Sequence, residues 1–402
     1  SARETWTSGT PDGTRRDFRP HRRLYVRRDR DGDSLFMVVL GSTGSIGTNT
    51  LDVAARSGSM IEALSCGRNI KLLNEQIAKF HPRLVCIADA QQKSEVDHER
   101  VFCGADGILQ MLAECKSTTV VNALVGFAGM MPSLKIQELG KRLCLANKES
   151  LVVGGKFLQT DKIFPIDSEH FGLKFLLSNA KIPVSRLIIT ASGGAFYDVP
   201  LTQLGSLTPQ NALKHPNWKM GAKITIDSAT MANKLFEVIE AFWLYGTRKI
   251  DALIERTSQI HALVEFADGS TTAHISRADM RLAIAHAMFS GDVREQITAP
   301  VDLCTLRPIE LKPIDEMKFQ IFTLKDALLA NPDLGVVINA ANEAGVNAFL
   351  QQQCRFTDIA RVVLKCAEKF NSPSVTDADA LVAVDASVRA YANELLKFNG
   401  EL

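Results

Sequence analysis

Two acids flank one serine at Asp167-Ser168-Glu169, just ahead of an apolar run. If Ile163 to Glu169 is extended, side chains alternate and Asp167 and Glu169 point to one side. Carboxylates that close repel unless a proton or a cation lies between them. Oxygen ligands suit a hard divalent ion such as Mg2+ or Mn2+. The plain alternative is a pair of solvated acids at a helix start, where the helix dipole favours them. A third acid bears on the choice. In DSATMANKLFEVIE, Ser228 stands near a helix N-terminus, and Asn233, Lys234 and Glu237 share one helical face. Hydroxyl, amide and ammonium together suit a substrate phosphate. Glu237 is then the third carboxylate for the metal. A solvated amphipathic helix would explain Ser228, but not why Ala-Asn-Lys interrupts an otherwise apolar helix.

A second group of residues points to a dinucleotide. Gly41, Gly44 and Gly47 are spaced G-x-x-G-x-x-G between the strand-like MVVLG and a helical pattern. Such a loop lets the backbone approach a pyrophosphate, and the helix start offers N–H donors. A plain tight turn is the alternative. The next strand ends in Cys66-Gly67-Arg68-Asn69 rather than in an acid. Arg68 suits a 2′-phosphate, so NADPH is expected over NADH; a solvated surface arginine is the alternative. The Ser192-Gly193-Gly194 turn after RLIITA is a further place for backbone N–H groups to hold an anion. His215, Trp218 and Met220 lie in a proline-containing connection, which suits a loop that closes over a ligand and excludes water.

The elements that must position these residues read as α/β. From Met37 to Phe164, strand-length apolar runs alternate with helical patterns, which implies βαβ units and a parallel sheet. The middle is mixed: RLIITASGG and KITIDSA read as strands, TMANKLFEVIEAFWLYG as a helix, and Asp268-Gly269 as a hairpin turn. After a proline-bearing stretch, 291–322, four helical segments are separated around Pro332 and Pro373. The expected order is an N-terminal Rossmann-like NADPH-binding domain (37–164), a central α+β catalytic domain (165–290) with a lid at about 198–222, a linker (291–322) and a C-terminal α-helical bundle (323–402). Residues 1–36 are rich in Arg, Gly, Pro and Asp without apolar periodicity. They read as an expression-derived or disordered extension. An Arg-rich transit peptide is the rival, and six acidic residues count against it.

Composition narrows the function classes. The 402 residues call for more than one domain, and a formal net charge of +1 supplies no field toward nucleic acid or anionic membrane. No apolar run approaches the roughly 20 residues a membrane span needs. Eight scattered cysteines without a C-x-x-C pair read as reduced thiols of a cytoplasmic protein.

The motifs GSTGSIG, GRN, ANKES, PIDSEH, ASGGAF, HPNWKMG and DSATMANK…E occur in this order between Gly41 and Glu237. Together they resemble the 1-deoxy-D-xylulose 5-phosphate reductoisomerases, NADPH- and metal-dependent enzymes of the non-mevalonate isoprenoid route. The resemblance implies that Thr43, Gly44, Ser45 and Ile46 hold the cofactor phosphates. It places Gly67, Arg68 and Asn69 at the adenosine end, with Asn147, Glu149 and Gly221 also on the NADPH site. It implies Asp167, Glu169 and Glu237 as metal ligands and Lys148 beside the substrate. It gives Ser168 to the substrate backbone, with Ser192, Ser228, Asn233 and Lys234 on its phosphate. His215 and Trp218 belong to the lid. The implied reaction rearranges a keto sugar phosphate, by retro-aldol cleavage and re-addition, and reduces the resulting aldehyde to 2-C-methyl-D-erythritol 4-phosphate. A homodimer is implied too. Two departures, Ala232 for the usual Met and Leu235 for the usual Gly, are expected to alter helix packing and not chemistry.

Two other readings stay in view. A semialdehyde-type NADP-dependent reductase would need a nucleophilic cysteine, and no cysteine here sits in a Gly-rich strand-end turn with a histidine partner. A non-catalytic NADPH-sensing protein would need neither the carboxylate trio nor the phosphate helix.

Overall fold

The computed structural model describes residues 36–178, 180–212, 218, 220–306 and 308–397. A first sheet holds β1 (Phe36–Leu40), β2 (Met60–Cys66), β3 (Leu84–Ile87), β4 (Val101–Cys103), β5 (Thr119–Asn122), β6 (Arg142–Leu145) and β7 (Ile163–Pro165). All neighbours are parallel, in the order β4-β3-β2-β1-β5-β6-β7. The valine-rich β1 explains itself: Met37 and Val39 enter the core on one face, Val38 and Leu40 the core on the other. The helices α1 (Ser45–Ser57), α2 (Ile70–Phe80), α3 (Gly104–Glu114) and α4 (Met130–Glu138) make the crossovers. Strand order reverses between β1 and β5, the switch point where ligands bind such sheets.

The chain continues through α5 (Lys148–Gly154), α6 (Ser168–Ser178), β8 (Val184–Ala191), α7 (Pro209–Ala212), α8 (Ala222–Thr230) and α9 (Ala232–Tyr245). Next come β9 (Ile250–Ile254), β10 (Ile260–Phe266), β11 (Thr271–Ile275), α10 (Arg281–Met288) and β12 (Lys312–Pro313). The second sheet is ordered β11-β10-β8-β9-β12. The turn at Asp268-Gly269 joins β10 to β11, as the sequence predicts. The last four helices are α11 (Lys325–Ala330), α12 (Leu334–Leu350), α13 (Phe356–Lys369) and α14 (Ala378–Lys397). One apolar core runs from α5 and α9 through the second sheet into α12, α13 and α14.

Three local expectations need correction. The stretch KITIDSA is helical, not extended: it forms α8. Its β-branched residues favour a strand, but Thr225 Oγ1 donates to Gly221 O at 2.9 Å, Lys223 pairs with Asp227 one turn on, and Ile226 is buried. Tertiary burial overrides propensity there. The strand before Asp167 ends at Pro165 and α6 starts at Ser168, so alternation along a strand does not bring Asp167 and Glu169 together. The stretch 291–322 contains β12, paired with β9, as well as irregular chain. Immediately before it, α10 packs back onto the first sheet through Ile284, Ala285 and Met288.

Candidate active site

Asp167 is the hinge between strand and helix. Its Oδ1 accepts from the N–H groups of Glu169 (3.0 Å) and His170 (3.3 Å), capping the first turn of α6. This fixes its other oxygen toward Lys148 Nζ at 3.1 Å. Glu237 arrives from α9. Between α8 and α9 the chain turns at Met231, whose φ is +67°. The turn lets α9 present Asn233, Lys234 and Glu237 on one inward face. Lys148 Nζ donates to Glu237 Oε1 at 2.9 Å, and Asn233 Nδ2 to the same oxygen at 2.6 Å. Lys234 Nζ donates to Glu237 Oε2 and lies 3.6 Å from Glu169 Oε1. Lys234 and Glu237 are almost wholly buried, so the solvated-face alternative fails for this helix.

Three carboxylates thus meet two ammonium groups out of water. Among the described residues, Asp167, Glu169 and Glu237 are the one group able to hold a metal ion, with ligand oxygens within 4.8 Å of one another. Burial acts against the charge on Asp167, but Lys148, His170 and Lys234 outweigh it and hold its carboxyl below the usual range. Burial, with Glu237 and Asp167 adding repulsion, holds Glu169 above that range despite Lys234. Burial pulls Lys148 down, yet Asp167 and Glu237 raise it well above an ordinary lysine. The cluster is short of positive charge, and its all-oxygen donor set is what a hard divalent ion takes. Asn233 Oδ1 is buried without a partner, a polar atom left over for a ligand. Beneath the cluster, His170 Nε2 lies 3.3 Å from Glu240 Oε2, and both groups are buried.

The cluster forms one end of a cavity whose other end is the glycine loop. Gly44, Ser45 and Ile46 line it, opposite Ala123, Leu124 and Val125 beyond β5. Gly41 has φ +76°, and a Cβ there would stand 2.5 Å from Ala123 O. No side chain caps α1 at Gly44. These features fit a pyrophosphate at the switch point. Lys148, Glu149, Asp167, Ser168, Glu169 and Ser192 line the same cavity. So do Trp218, Gly221, Ser228, Asn233, Lys234 and Glu237. Ser192 Oγ accepts from Gly194 N at 3.2 Å, and the Gly194 turn abuts α8 so closely that a Cβ would meet Ala229 Cα at 2.7 Å. Ser168 Oγ donates to Glu169 Oε2 at 2.7 Å. Trp218 stands edge-on to His261, with ring centroids 6.2 Å apart.

The other expected residues sit at the margins. Asn147 is buried behind the cavity, where its Oδ1 caps α5 and its Nδ2 donates to Leu124 O and Gly126 O. Gly67, Arg68 and Asn69 are exposed at the carboxyl end of β2, and Asn69 caps α2. Thr43 lies half-buried in the glycine loop. His215 lies outside the described residues. Sequence reasoning missed Lys223 and Asp227, which line the cavity and pair with each other. Their spacing of four would have shown them on one face had α8 been read as a helix. It also missed Ser258 and Met280, which reach the cavity from loops whose sequence carries no local signal.

Family comparisons agree with this arrangement. Residues 37–155 match the model for 1-deoxy-D-xylulose 5-phosphate reductoisomerase, residues 163–245 its C-terminal domain, and residues 275–391 the DXP reductoisomerase C-terminal domain. The chain belongs to the 1-deoxy-D-xylulose 5-phosphate reductoisomerase family. A reductoisomerase of Campylobacter curvus is 63% identical over 358 residues, which cover 88% of this chain and 98% of that protein. Its counterpart from Campylobacter hominis is 59% identical over 361 residues, covering 90% and 100%. A crystal structure of DOX-P reductoisomerase with NADPH, fosmidomycin and magnesium matches with TM-score 0.84 at 32% identity, over 91% of this chain and 99% of that one. The Zymomonas mobilis reductoisomerase with NADPH matches with TM-score 0.81 at 32% identity, over 91% and 100%. Burial pushes Cys66 up to about 11 and Cys86, Cys115 and Cys144 up to about 12, away from the reactive thiolate form.

Proposed function

We propose that this chain converts 1-deoxy-D-xylulose 5-phosphate to 2-C-methyl-D-erythritol 4-phosphate with NADPH and a divalent metal ion. The observation that carries this is the meeting of Asp167, Glu169 and Glu237 beside Asn233 and Lys234, in one cavity with the glycine loop. When bound, the ion supplies Lewis acidity to the keto sugar and NADPH supplies the hydride. The carboxylates of Asp167, Glu169 and Glu237 hold the ion. Lys148 keeps its proton between Asp167 and Glu237 and offers a fixed positive N–H to a substrate oxygen. Ser192, Ser228, Asn233 and Lys234 take the substrate phosphate, and Ser168 orients the sugar backbone. Thr43, Gly44, Ser45 and Ile46 receive the cofactor phosphates. Gly67, Arg68 and Asn69 receive its adenosine end, with Asn147, Glu149 and Gly221 on the same site. His215 and Trp218 cover the substrate and keep water out.

No helix among the described residues is long and apolar enough to cross a membrane. We extend the reading to a cytoplasmic homodimer, for which light scattering on the purified chain reads the mass. The deciding assay is NADPH oxidation on adding deoxyxylulose phosphate. Turnover that needs Mg2+ or Mn2+ and stops with EDTA supports the reading. Loss of activity to iodoacetamide with indifference to EDTA would favour a cysteine-based reductase.

A further inference from the structure

Lys223 is the second residue of α8, and its ammonium joins two walls of the cavity. Its Nζ donates to Glu149 Oε1 at 2.6 Å and to Asp227 Oδ2 at 2.7 Å. All three side chains are largely buried, at 14%, 8% and 3% exposure. The remaining oxygens are also engaged. Glu149 Oε2 accepts from Asn147 Nδ2 at 3.1 Å, and Asp227 Oδ1 accepts from Asn342 Nδ2 on α12 at 2.7 Å. Each carboxylate is therefore held by one contact from its own helix or its cap and one from another helix.

The chain neighbours of these two acids give the bridge its meaning. Lys148, beside Glu149, reaches Asp167 and Glu237. Ser228, beside Asp227, faces the cavity from the other wall. We propose that Lys223, held in place on α8 by Asp227, is a positioning residue for the reductive step: by tying α8 to Glu149 on α5, it sets the distance between the cofactor side and the substrate-phosphate side. The inference rests on the reductoisomerase reading above. Hydride transfer is sensitive to such a distance, because misplacement by about 1 Å can cost about 10²-fold in rate. A buried ammonium between two buried carboxylates suits the task, since any displacement leaves charge unpaired out of water.

The test compares wild type with Lys223→Met, Lys223→Arg and Glu149→Gln, using NADPH deuterated at the transferred position. Wild-type turnover tests the activity itself, independently of this proposal. With an active wild type, Lys223→Met is expected to lower kcat by about 10²-fold, to change both KM values far less, and to enlarge the isotope effect. Lys223→Arg, which keeps a cation with donors enough for both carboxylates, is expected to restore most of kcat and the wild-type isotope effect. If Lys223→Met does not fold, Glu149→Gln weakens the same α5–α8 link from its other end and is expected to enlarge the isotope effect. A wild-type kcat in Lys223→Met overturns the proposal. So does a lowered kcat with an unchanged isotope effect, which marks loss of folded protein and not misalignment.

Discussion

Glu237 accepts hydrogen bonds from three side chains, those of Lys148, Asn233 and Lys234. In the proposed reading it is the point where the metal ligands meet Asn233 and Lys234 of the phosphate site. Glu237→Gln keeps the shape and removes the charge. We expect turnover to fall by at least about 10²-fold, while NADPH binding followed by cofactor fluorescence survives; unchanged turnover would remove Glu237 from the site. Lys234→Ala is expected to raise KM for the sugar phosphate about tenfold, the value of a lost charge-assisted hydrogen bond, and a wild-type KM would contradict that role. The residues of this cluster were legible because their types are chemically loaded and Asn233, Lys234 and Glu237 share a helical face. Lys223 was not, because the β-branched Ile224, Thr225 and Ile226 around it carry a strand signal that burial overrides.

At the scale of elements, α2 has Asn69 as its cap, proposed for the adenosine end, and carries Gln76 two turns later. Ser42 Oγ donates to Gln76 Oε1 at 2.7 Å, and Gln76 Nε2 donates to Ser42 O at 2.9 Å. This buried reciprocal pair clamps the glycine loop to α2. Gln76→Ala is expected to raise KM for NADPH several-fold in steady-state assays while KM for the sugar phosphate stays put; equal rises in both would point to general loosening. A second element-scale node lies near the amino ends of β2, β3 and β5. Glu62 on β2 accepts from Ser117 Oγ and N, Lys116 N and Arg83. Burial raises its pKa, but these donors outweigh it and bring the carboxyl to about 2, from 4.5. A depressed carboxyl stabilises above its unfolded pKa and loses that stabilisation as pH falls toward its folded pKa. The contribution is full above about pH 5 and fades between 4.5 and 2. Urea melts of wild type and Glu62→Gln should therefore differ most near neutrality and converge on acidification; a gap that widens in acid would contradict this. The parallel sheet and its glycine loop were readable from period and placement. The turn that separates α8 from α9 was not, because a non-glycine residue, Met231, takes the left-handed conformation.

At the scale of the molecule, the order of a nucleotide-type sheet, a mixed middle and a helical end was visible in the alternation of apolar runs and in Pro332 and Pro373. The way the parts dock was not. The face of α10 bearing Ile284, Ala285 and Met288 has the same pattern whichever layer it meets, and it meets the first sheet. Likewise nothing local in α12 announces that Asn342 reaches Asp227, or that Glu343 accepts from Phe127 N at 2.9 Å while Arg389 of α14 holds its other oxygen at 2.7 Å. These contacts run from the helical end to Asp227 in the cavity wall and to the chain just beyond Val125, so the helical end also helps to frame the site. The central claim about that site is that side chains from α6 and α9, with the residue just before α6, converge on one cation. Manganese binding followed by electron paramagnetic resonance tests it most directly, on wild type and on Asp167→Asn, Glu169→Gln and Glu237→Gln. The account predicts one tightly held Mn2+ per chain, weakened in each of the three variants while they remain folded. Any one of them holding the ion as tightly as wild type would contradict it.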